Sequence, residues 1–365
     1  MFCVPRGGPY ALSHSVGCLP SSAASAFESA FLAPWREQGG DAWPWWLKTI
    51  DRFREALADV LGGEPRQYCP QPNLSAALSK LLPCIPRNGE RRVLLAAEDS
   101  FPSLAYVLQQ GERLGYKLRF IASSEDIAQP STWEKHLTGE VAAALVTHVH
   151  SNTGIRIPLA EIAALCRRNG VLCIADIAQS AGVLAVNVVN DGADVVLGSC
   201  VKWLCGGPGA GFMWVRPDLI ELLEPLDVGW FSHADPFEMD VHAFRYAPDS
   251  RRFWGGTPSV APFALAAESL RVLHGIGIDA VSKHNSELQQ RFLDALPPRW
   301  AQALDIQKMG GTLCIPLGSE FESVTRALRR DGVRFDTRGD RVRLSFHIYN
   351  EPQDAERCAR AFASR

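Results

Sequence analysis

Short apolar runs separated by amphipathic segments occupy the middle of the chain. The runs fall at residues 92–97, 117–122, 141–147, 171–176 and 195–197. Helical patterns lie between most of them, and Pro158 and Gly170 bracket one such segment as its first position and its end. Near-continuous apolar strands that alternate with helices predict an α/β fold with a mainly parallel sheet covered on both faces.

The residues on both sides of this region show a different sequence pattern. Residues 1–46 are irregular and rich in glycine, proline, serine and tryptophan, and residues 47–61 predict a helix with one apolar face. After residue 258 the pattern predicts, in order, two long helices, a strand, a helix and a strand pair, at 261–275, 278–296, 312–316, 320–331, 333–335 and 342–346. We therefore predict an N-terminal arm (1–46), a large domain (47–258) and a smaller C-terminal α+β domain (259–365).

Residues 69–82, CPQPNLSAALSKLL, predict a turn that feeds a helix. Pro70 and Pro72 disfavour helix before Asn73, and helical residues follow at once. The start of a helix offers free backbone N–H groups and the positive end of the helix dipole to an anion. The segment is therefore a candidate anion site.

Composition and charge exclude several classes of function. The formal net charge is −3 with no basic block, which argues against nucleic-acid binding. No apolar run reaches the roughly 18 residues that a membrane span needs. The ten cysteines form no CxxC pair and no Cys/His spacing typical of zinc, so we predict no metal site, no disulfide framework and a cytoplasmic protein.

The candidate chemistry begins at residues 195–215, where an apolar strand meets Lys202 and then a glycine-rich turn. A solvated lysine has a pKa near 10.4 and is a poor nucleophile. In a partly desolvated pocket beside other positive charge it can form a Schiff base with an aldehyde cofactor. The alternative is a lysine at a strand end that simply reaches water.

A second candidate, Asp176, ends the apolar strand VLCIAD and is followed by Gln179. The carboxyl ends of parallel strands are where α/β proteins bind ligands, although a strand-end aspartate is also a common helix N-cap. Read together with Lys202, the pair matches what pyridoxal 5′-phosphate (PLP) needs, a lysine for its aldehyde and a carboxylate for its pyridinium nitrogen.

These motifs resemble a known family. ADIAQSAG (175–182) with residues 193–215 resembles the cofactor core of the class V aminotransferase superfamily of PLP fold type I. Residues 229–260, HSVGCLP (14–20), FPSLAYVL (101–108) and RVRLSFHIYN (341–350) resemble segments of kynureninases within it. The resemblance implies a large domain built on a seven-stranded type of sheet.

The resemblance also implies roles for individual residues. Lys202 would bind PLP and catalyse, with Asp176 at the pyridinium nitrogen, Gln179 at the ring oxygen and Phe101 stacked on the ring. The remaining cofactor-binding positions would be Pro70, Gln71, Thr147, Trp230 and Thr257. Substrate binding would fall to Arg343, which clamps the α-carboxylate, and to His14 and Ser15 of the arm.

Shared active sites are a further implication of the resemblance. Trp230 and Thr257 are expected to reach the cofactor phosphate of a second subunit, so a homodimer is predicted. His150 and His233 are further candidates for substrate recognition or proton transfer, although a lone histidine is more often structural.

Two positions depart from the kynureninase pattern and keep alternatives open. Val201 stands where kynureninases usually carry a tyrosine, and Gln179 stands where they usually carry a histidine. The first hypothesis is a hydrolase that cleaves the Cβ–Cγ bond of an L-kynurenine-type amino acid. The alternatives are another class V activity (transamination, epimerisation or C–S cleavage) and a non-catalytic protein with this fold.

Overall fold

A central seven-stranded sheet organises the protein, which we describe from a computed structural model covering residues 1–86, 89–302 and 304–363. Strands are numbered in chain order: β1 Phe2–Cys3, β2 Leu19–Pro20, β3 Tyr68–Gln71, β4 Val93–Ala97, β5 Lys117–Ile121, β6 Val141–Thr147, β7 Leu172–Asp176, β8 Val195–Ser199, β9 Gly211–Val215, β10 Thr312–Pro316, β11 Asp336–Arg338 and β12 Arg341–Ser345. The large sheet has the order β3-β9-β8-β7-β6-β4-β5.

Helices pack around this sheet and in the C-terminal part of the chain. They are α1 Ala23–Phe27, α2 Ala33–Gln38, α3 Trp43–Leu61, α4 Leu74–Leu81, α5 Pro102–Gln109, α6 Pro130–His136, α7 Leu159–Arg168, α8 Pro217–Ile220, α9 Ala261–Ile276, α10 Ile278–Asp294, α11 Pro298–Ala301, α12 Phe321–Arg330 and α13 Pro352–Arg360. Helix α3 buries Ile50, Phe53 and Leu57 in the core on one face, as its apolar spacing predicts. No helix in the described ranges is long and apolar enough to cross a membrane.

The sheet is mainly parallel, as predicted. Five neighbouring strands from β8 to β5 run parallel, whereas β9 pairs antiparallel with both β8 and β3. The sequence pattern did not predict β3 as a strand because Pro70 lies within it. Proline is tolerated here since β3 is an edge strand, where one side needs no backbone donor.

A second sheet, with the order β10-β12-β11, lies in the C-terminal part of the chain. The predicted strand pair at 333–335 and 342–346 is shifted, because the hairpin turns at Gly339, whose φ of +58° favours glycine. Arg334 instead meets the N-terminal arm, where its N–H donates to the Pro9 carbonyl. Residues 333–335 therefore lie outside the strand that was predicted for them.

The N-terminal arm connects this small sheet to the large one. Ser345 N–H donates to the Ala11 carbonyl at 3.0 Å, and Gly17 N–H donates to the Val201 carbonyl at 2.9 Å. Helix α3 begins at Trp43, four residues before the helix predicted at 47–61, and the arm boundary at residue 46 stays a prediction. The division into a large and a small domain stays a prediction, with its second boundary in the loop before α9.

Candidate functional site

A cavity of about 420 Å³ opens at the carboxyl ends of β6, β7 and β8. These three strands are neighbours in the sheet, and they end at Thr147, Asp176 and Ser199. Because parallel strands present their carboxyl ends at one edge, the three side chains face the same space. The full lining is Asn73, Leu74, Ser75, Phe101, Ser103, Leu104, Thr147, Val149, Ser151, Asp176, Ala178, Gln179, Ser199, Val201 and Lys202.

Lys202 lies in the connection between β8 and β9 and reaches into this cavity. Its Nζ is 5.6 Å from the centroid of the Phe101 ring. Burial lowers the pKa of the lysine, and the charges of Arg343 and Arg338 lower it further, while Asp176 opposes the shift. A depressed pKa makes the neutral amine more abundant, which is the form that attacks an aldehyde.

The arm packs directly against the turn that carries Lys202. A Cβ on Gly17 would stand 2.1 Å from the Lys202 carbonyl oxygen and 2.9 Å from Cα of Cys205. Such contacts leave no room for a side chain, so glycine at this position allows the arm to approach the turn. The arm and the lysine are therefore positioned together.

Asp176 lies at the floor of the cavity and is almost completely buried. Its Oδ1 accepts a hydrogen bond from the Ala178 N–H at 2.9 Å. Burial raises the pKa of its carboxyl, and the Ala178 hydrogen bond, Lys202 and His150 counteract the shift. Asp176 forms no salt bridge with the residues that the structure describes, and a buried carboxylate of this kind is suited to a positively charged ligand atom.

Gln179 bridges the lysine turn and the arm. Its Oε1 accepts from Trp203 Nε1 at 3.3 Å, and its Nε2 donates to the His14 carbonyl at 3.1 Å. Each amide has two N–H groups, so one remains for a ligand. The structure thus places Gln179 at the cavity, with part of its hydrogen-bonding capacity already used.

Arg343 is buried on β12 and is held by a carboxylate of the protein. Its Nε and Nη2 both donate to the two oxygens of Asp336, the former at 2.7 Å, and its Nη1 donates to the Ser151 carbonyl at 2.8 Å. The sequence suggested a free arginine awaiting a substrate carboxylate. The structure instead shows a bidentate internal pair, which leaves one N–H on each of Nη1 and Nη2.

His14 extends this pair into the arm. Its Nε2 lies 2.8 Å from Asp336 Oδ1 and its Nδ1 lies 2.8 Å from Ser345 Oγ. Burial lowers the pKa of His14, whereas Asp336 has its pKa held well below its usual range by hydrogen bonds from His14 and Arg343, against an opposing effect of burial. The lowered pKa favours a neutral ring, in which an N–H at Nε2 donates to the Asp336 carboxylate and Nδ1 accepts from the Ser345 hydroxyl.

Replacing His14 with alanine is expected to destabilise the apo-protein by about 1–3 kcal/mol, because two buried hydrogen bonds are lost and Ser345 keeps no side-chain partner there. Urea unfolding followed by circular dichroism measures this change. Ser15→Ala is the matched control, since Ser15 lies in the same turn with no side-chain hydrogen bond among the described residues, and should stay within about 0.5 kcal/mol of wild type. Equal effects of the two variants would contradict the prediction.

Four predicted cofactor residues do not line this cavity within one chain. Pro70, Gln71 and Thr257 line a second cavity of about 290 Å³, and Gln71 Nε2 donates to the Phe253 carbonyl at 2.9 Å. Trp230 Nε1 donates to Thr257 Oγ1 at 3.3 Å. Pro70 and Gln71 belong to strand β3, and their contact with a cofactor stays a prediction.

Residues just after Pro72 line the Lys202 cavity. Asn73 caps α4 by accepting from Ala76 N–H at 2.9 Å, and Leu74 and Ser75 follow at the cavity wall. The backbone N–H groups at the start of a helix are free for an anion such as a phosphate. The Pro-Gln-Pro-Asn sequence indicated this helix start, but not which of its residues face the cavity.

The other two candidate histidines bond backbone carbonyls, although the buried Nε2 of His150 has no hydrogen-bond partner among the described residues. His150 Nδ1 bonds the Asp99 carbonyl at 2.9 Å, and His233 bonds the carbonyls of Asp235 and Ala243 at 2.6 and 2.9 Å. His233 lies in the 228–244 loop, and neither ring lines the Lys202 cavity. Ser15 is likewise absent from the cavity wall.

The residues present fit PLP. Lys202 offers an amine of lowered pKa, Asp176 offers a buried carboxylate, and Phe101 contributes an aromatic ring to the cavity wall. Thr147 Oγ1 is buried at the cavity wall with no hydrogen-bond partner among the described residues, as expected of a group that serves a ligand. The cavity volume is within the range of about 300–1,000 Å³ that is typical of cofactor sites.

Comparison with known proteins agrees with this chemistry. The family model described as aminotransferase class-V matches residues 87–358. The kynureninase of Deinococcus radiodurans is 30% identical over 307 residues, which cover 81% of this chain and 73% of that protein. An uncharacterised aminotransferase of Bacillus subtilis, YcbU, is 27% identical over 319 residues, covering 86% of this chain and 83% of that protein.

Solved structures share the whole architecture. The cystine C–S lyase C-DES, in complex with its product cysteine persulfide, superposes with a TM-score of 0.84 at 22% identity over 97% of each chain. A variant of that lyase, with glycine covalently linked to its PLP cofactor, also has a TM-score of 0.84 at 22% identity and covers 98% of this chain and 96% of its own. The cysteine desulfurase of Thermococcus onnurineus reaches 0.82 at 21% identity, over 96% of this chain and 92% of that one. These similarities show the fold, PLP fold type I.

Proposed function

Because the chain belongs to the class V aminotransferase family as a kynureninase-like, PLP-dependent enzyme, we propose that it hydrolyses the Cβ–Cγ bond of an L-kynurenine-type amino acid. The observation that carries the proposal is the cavity lined by Lys202 and Asp176, whose wall residue Ser151 accepts a hydrogen bond from Arg343 of the small sheet through its carbonyl. The similarity to kynureninases over most of the chain supports this reaction above others in the family.

The side chains have separate tasks in this proposal. When bound, PLP supplies an electron-accepting ring. Lys202 holds the cofactor and moves a proton at the substrate α-carbon, for which its lowered pKa suits it. Asp176 keeps the ring nitrogen protonated, and the two remaining N–H groups of Arg343 hold the α-carboxylate.

His14 has a positioning task instead of a proton-transfer task. Both of its ring nitrogens are already engaged, by Asp336 and by Ser345. Its exposure is 1%, so water does not reach the ring. We propose that it fixes Asp336, which in turn orients Arg343.

A different class V activity is the second candidate, favoured by Val201. This apolar side chain lines the cavity at the position where kynureninases usually carry a tyrosine, so a hydroxyl expected near the imine is missing. Within this alternative, a desulfurase-type mechanism that needs a mobile reactive thiol is disfavoured. Cys314 is buried in β10, where burial raises its pKa to about 12, and Cys358 is buried in α13.

Incubation of the holoenzyme with L-kynurenine and 3-hydroxy-L-kynurenine separates the candidates. We expect release of alanine together with anthranilate or 3-hydroxyanthranilate. A change in the cofactor spectrum without an anthranilate-type product would contradict the hydrolase and leave another class V activity. Conversion to the pyridoxamine form would identify a transaminase.

We also propose a homodimer with shared active sites, as the resemblance implies. Trp230 and Thr257 bond one another on the surface, and the loop around them exposes Phe237, Met239 and Val241. Contiguous exposed apolar side chains of this kind mark protein interfaces. Analytical ultracentrifugation tests the dimer, and mixing an inactive Lys202→Ala chain with a Thr257→Ala chain tests the sharing, because one intact site per heterodimer should restore activity. A cytoplasmic location stays a prediction.

A further inference from the structure

The hairpin that carries Arg343 holds three arginines, Arg338, Arg341 and Arg343, against two aspartates, Asp336 in β11 and Asp340 in the turn. Residues two apart in a strand share a face, so Asp336 and Arg338 of β11 lie with Arg341 and Arg343 of β12. Asp336 is directly opposite Arg343 and forms a bidentate pair with it. Arg338 is directly opposite Arg341, a pairing of like charges that destabilises a sheet unless an anion is near.

Arg338 extends from this face toward the Lys202 cavity. Its Cζ is 5.9 Å from the centroid of the Phe101 ring, the same ring that Lys202 Nζ approaches to 5.6 Å. Its charge also contributes to the lowered pKa of Lys202, after burial and the charge of Arg343. Among the residues that the structure describes, its guanidinium has no ion pair and no hydrogen bond, and the side chain is only partly exposed.

We propose that Arg338 binds the substrate carboxylate together with Arg343, as the cation that gives this site its net positive charge. The inference rests on the proposed amino-acid substrate and adds a specificity-determining residue to it. The family resemblance implied Arg343 alone as the clamp on the α-carboxylate.

Charge balance carries the argument. Because Asp336 is ionised and paired to Arg343, the two together attract an incoming carboxylate weakly at a distance, although Arg343 keeps two N–H groups for it. Desolvating a carboxylate requires a compensating cation, and the unpaired Arg338 supplies it. The contact of Arg338 with the Phe101 ring does not replace this role, because an arginine–aromatic contact at such a distance stabilises the protein only slightly.

Two ligands that differ only by a carboxylate test this role. L-Alanine and ethylamine are titrated into the holoenzyme, and binding is followed by the change in cofactor absorbance. For Arg338→Gln we expect the Kd of L-alanine to rise roughly 10- to 100-fold, as for loss of a charge-assisted hydrogen bond, with the Kd of ethylamine unchanged. Arg338→Lys, which keeps the charge without the planar fork, should lie between wild type and Arg338→Gln.

Arg334→Gln is the matched control, because it removes an exposed arginine from the same segment. It should leave both dissociation constants unchanged. An equal rise for L-alanine and ethylamine in Arg338→Gln, or no rise for L-alanine, would overturn the inference. If the enzyme does not cleave kynurenine but Arg338→Gln still weakens L-alanine binding alone, the hydrolase proposal is wrong and the role of Arg338 stands. If the enzyme cleaves kynurenine but Arg338→Gln does not weaken L-alanine binding, the hydrolase proposal stands and the role of Arg338 is wrong.

Discussion

Replacing Lys202 with alanine is expected to reduce kcat by at least about 10²–10⁴-fold, the range attributed to a positioned proton-transfer group. The variant loses the amine that holds the cofactor and the group that moves the α-proton. Borohydride reduction of the holoenzyme, followed by peptide mapping, should locate a pyridoxyl adduct on the peptide that contains Lys202. The same treatment of Lys202→Ala should give no adduct.

Lys117→Ala is the control for this experiment, since Lys117 lies exposed on strand β5. It should keep both the adduct and the activity. An adduct on another lysine, with activity retained in Lys202→Ala, would show that Lys202 is not the cofactor lysine. Absence of any adduct in the wild-type protein would instead support the hypothesis that it is a non-catalytic protein with this fold.

The exchange Asp176→Asn is expected to act in opposite directions on cofactor binding and on stability. Asparagine keeps the size and an acceptor for the Ala178 N–H but removes the charge. PLP should bind roughly 10- to 100-fold more weakly, because a hydrogen bond to a charged group contributes about 1.5–3 kcal/mol. Equilibrium dialysis or cofactor fluorescence measures this change, and Asp191→Asn, outside the cavity, should leave it unaffected.

The apo-protein of the same variant is expected to be more stable than wild type. The folded pKa of Asp176 lies above its ordinary value of 3.8, so the ionised carboxylate destabilises the folded state. The advantage of Asp176→Asn should be absent below pH 3.8, grow as the pH rises through the raised pKa, and stay constant above it. Thermal unfolding of the two apo-proteins across this range tests the sign. A variant that is less stable at neutral pH would contradict it.

These two effects share a physical origin. A buried carboxylate and a buried amine are unfavourable in the empty cavity, and both become favourable when a ligand with complementary groups is bound. The packing of the surrounding core, in which the strands β6, β7 and β8 are buried on both faces, compensates for this loss of folding stability. A site of this kind exchanges some stability for affinity and reactivity.

The sequence by itself determined the sheet and the position of the central chemistry. Unbroken apolar runs favour strands buried on both faces, and polar residues at their ends lie at one edge. Lys202 and Asp176 therefore came to the same cavity, with Thr147 beside them. Thr147 and Asp176 each end a strand, and Lys202 follows shortly after the end of β8. Because these strands are neighbours in the sheet, the three residues come together at one edge.

Only the tertiary structure decided the substrate side of the site. His14 meets Asp336 across 322 residues of sequence, and the pairing of Asp336 with Arg343 depends on where the hairpin turns at Gly339. A shift of one residue in that register would move each side chain to the opposite face. The role of Arg338 could not be predicted from the sequence, where it stands among several other charged residues. Only the register of the strands shows which of these charges face the cavity and which are already paired.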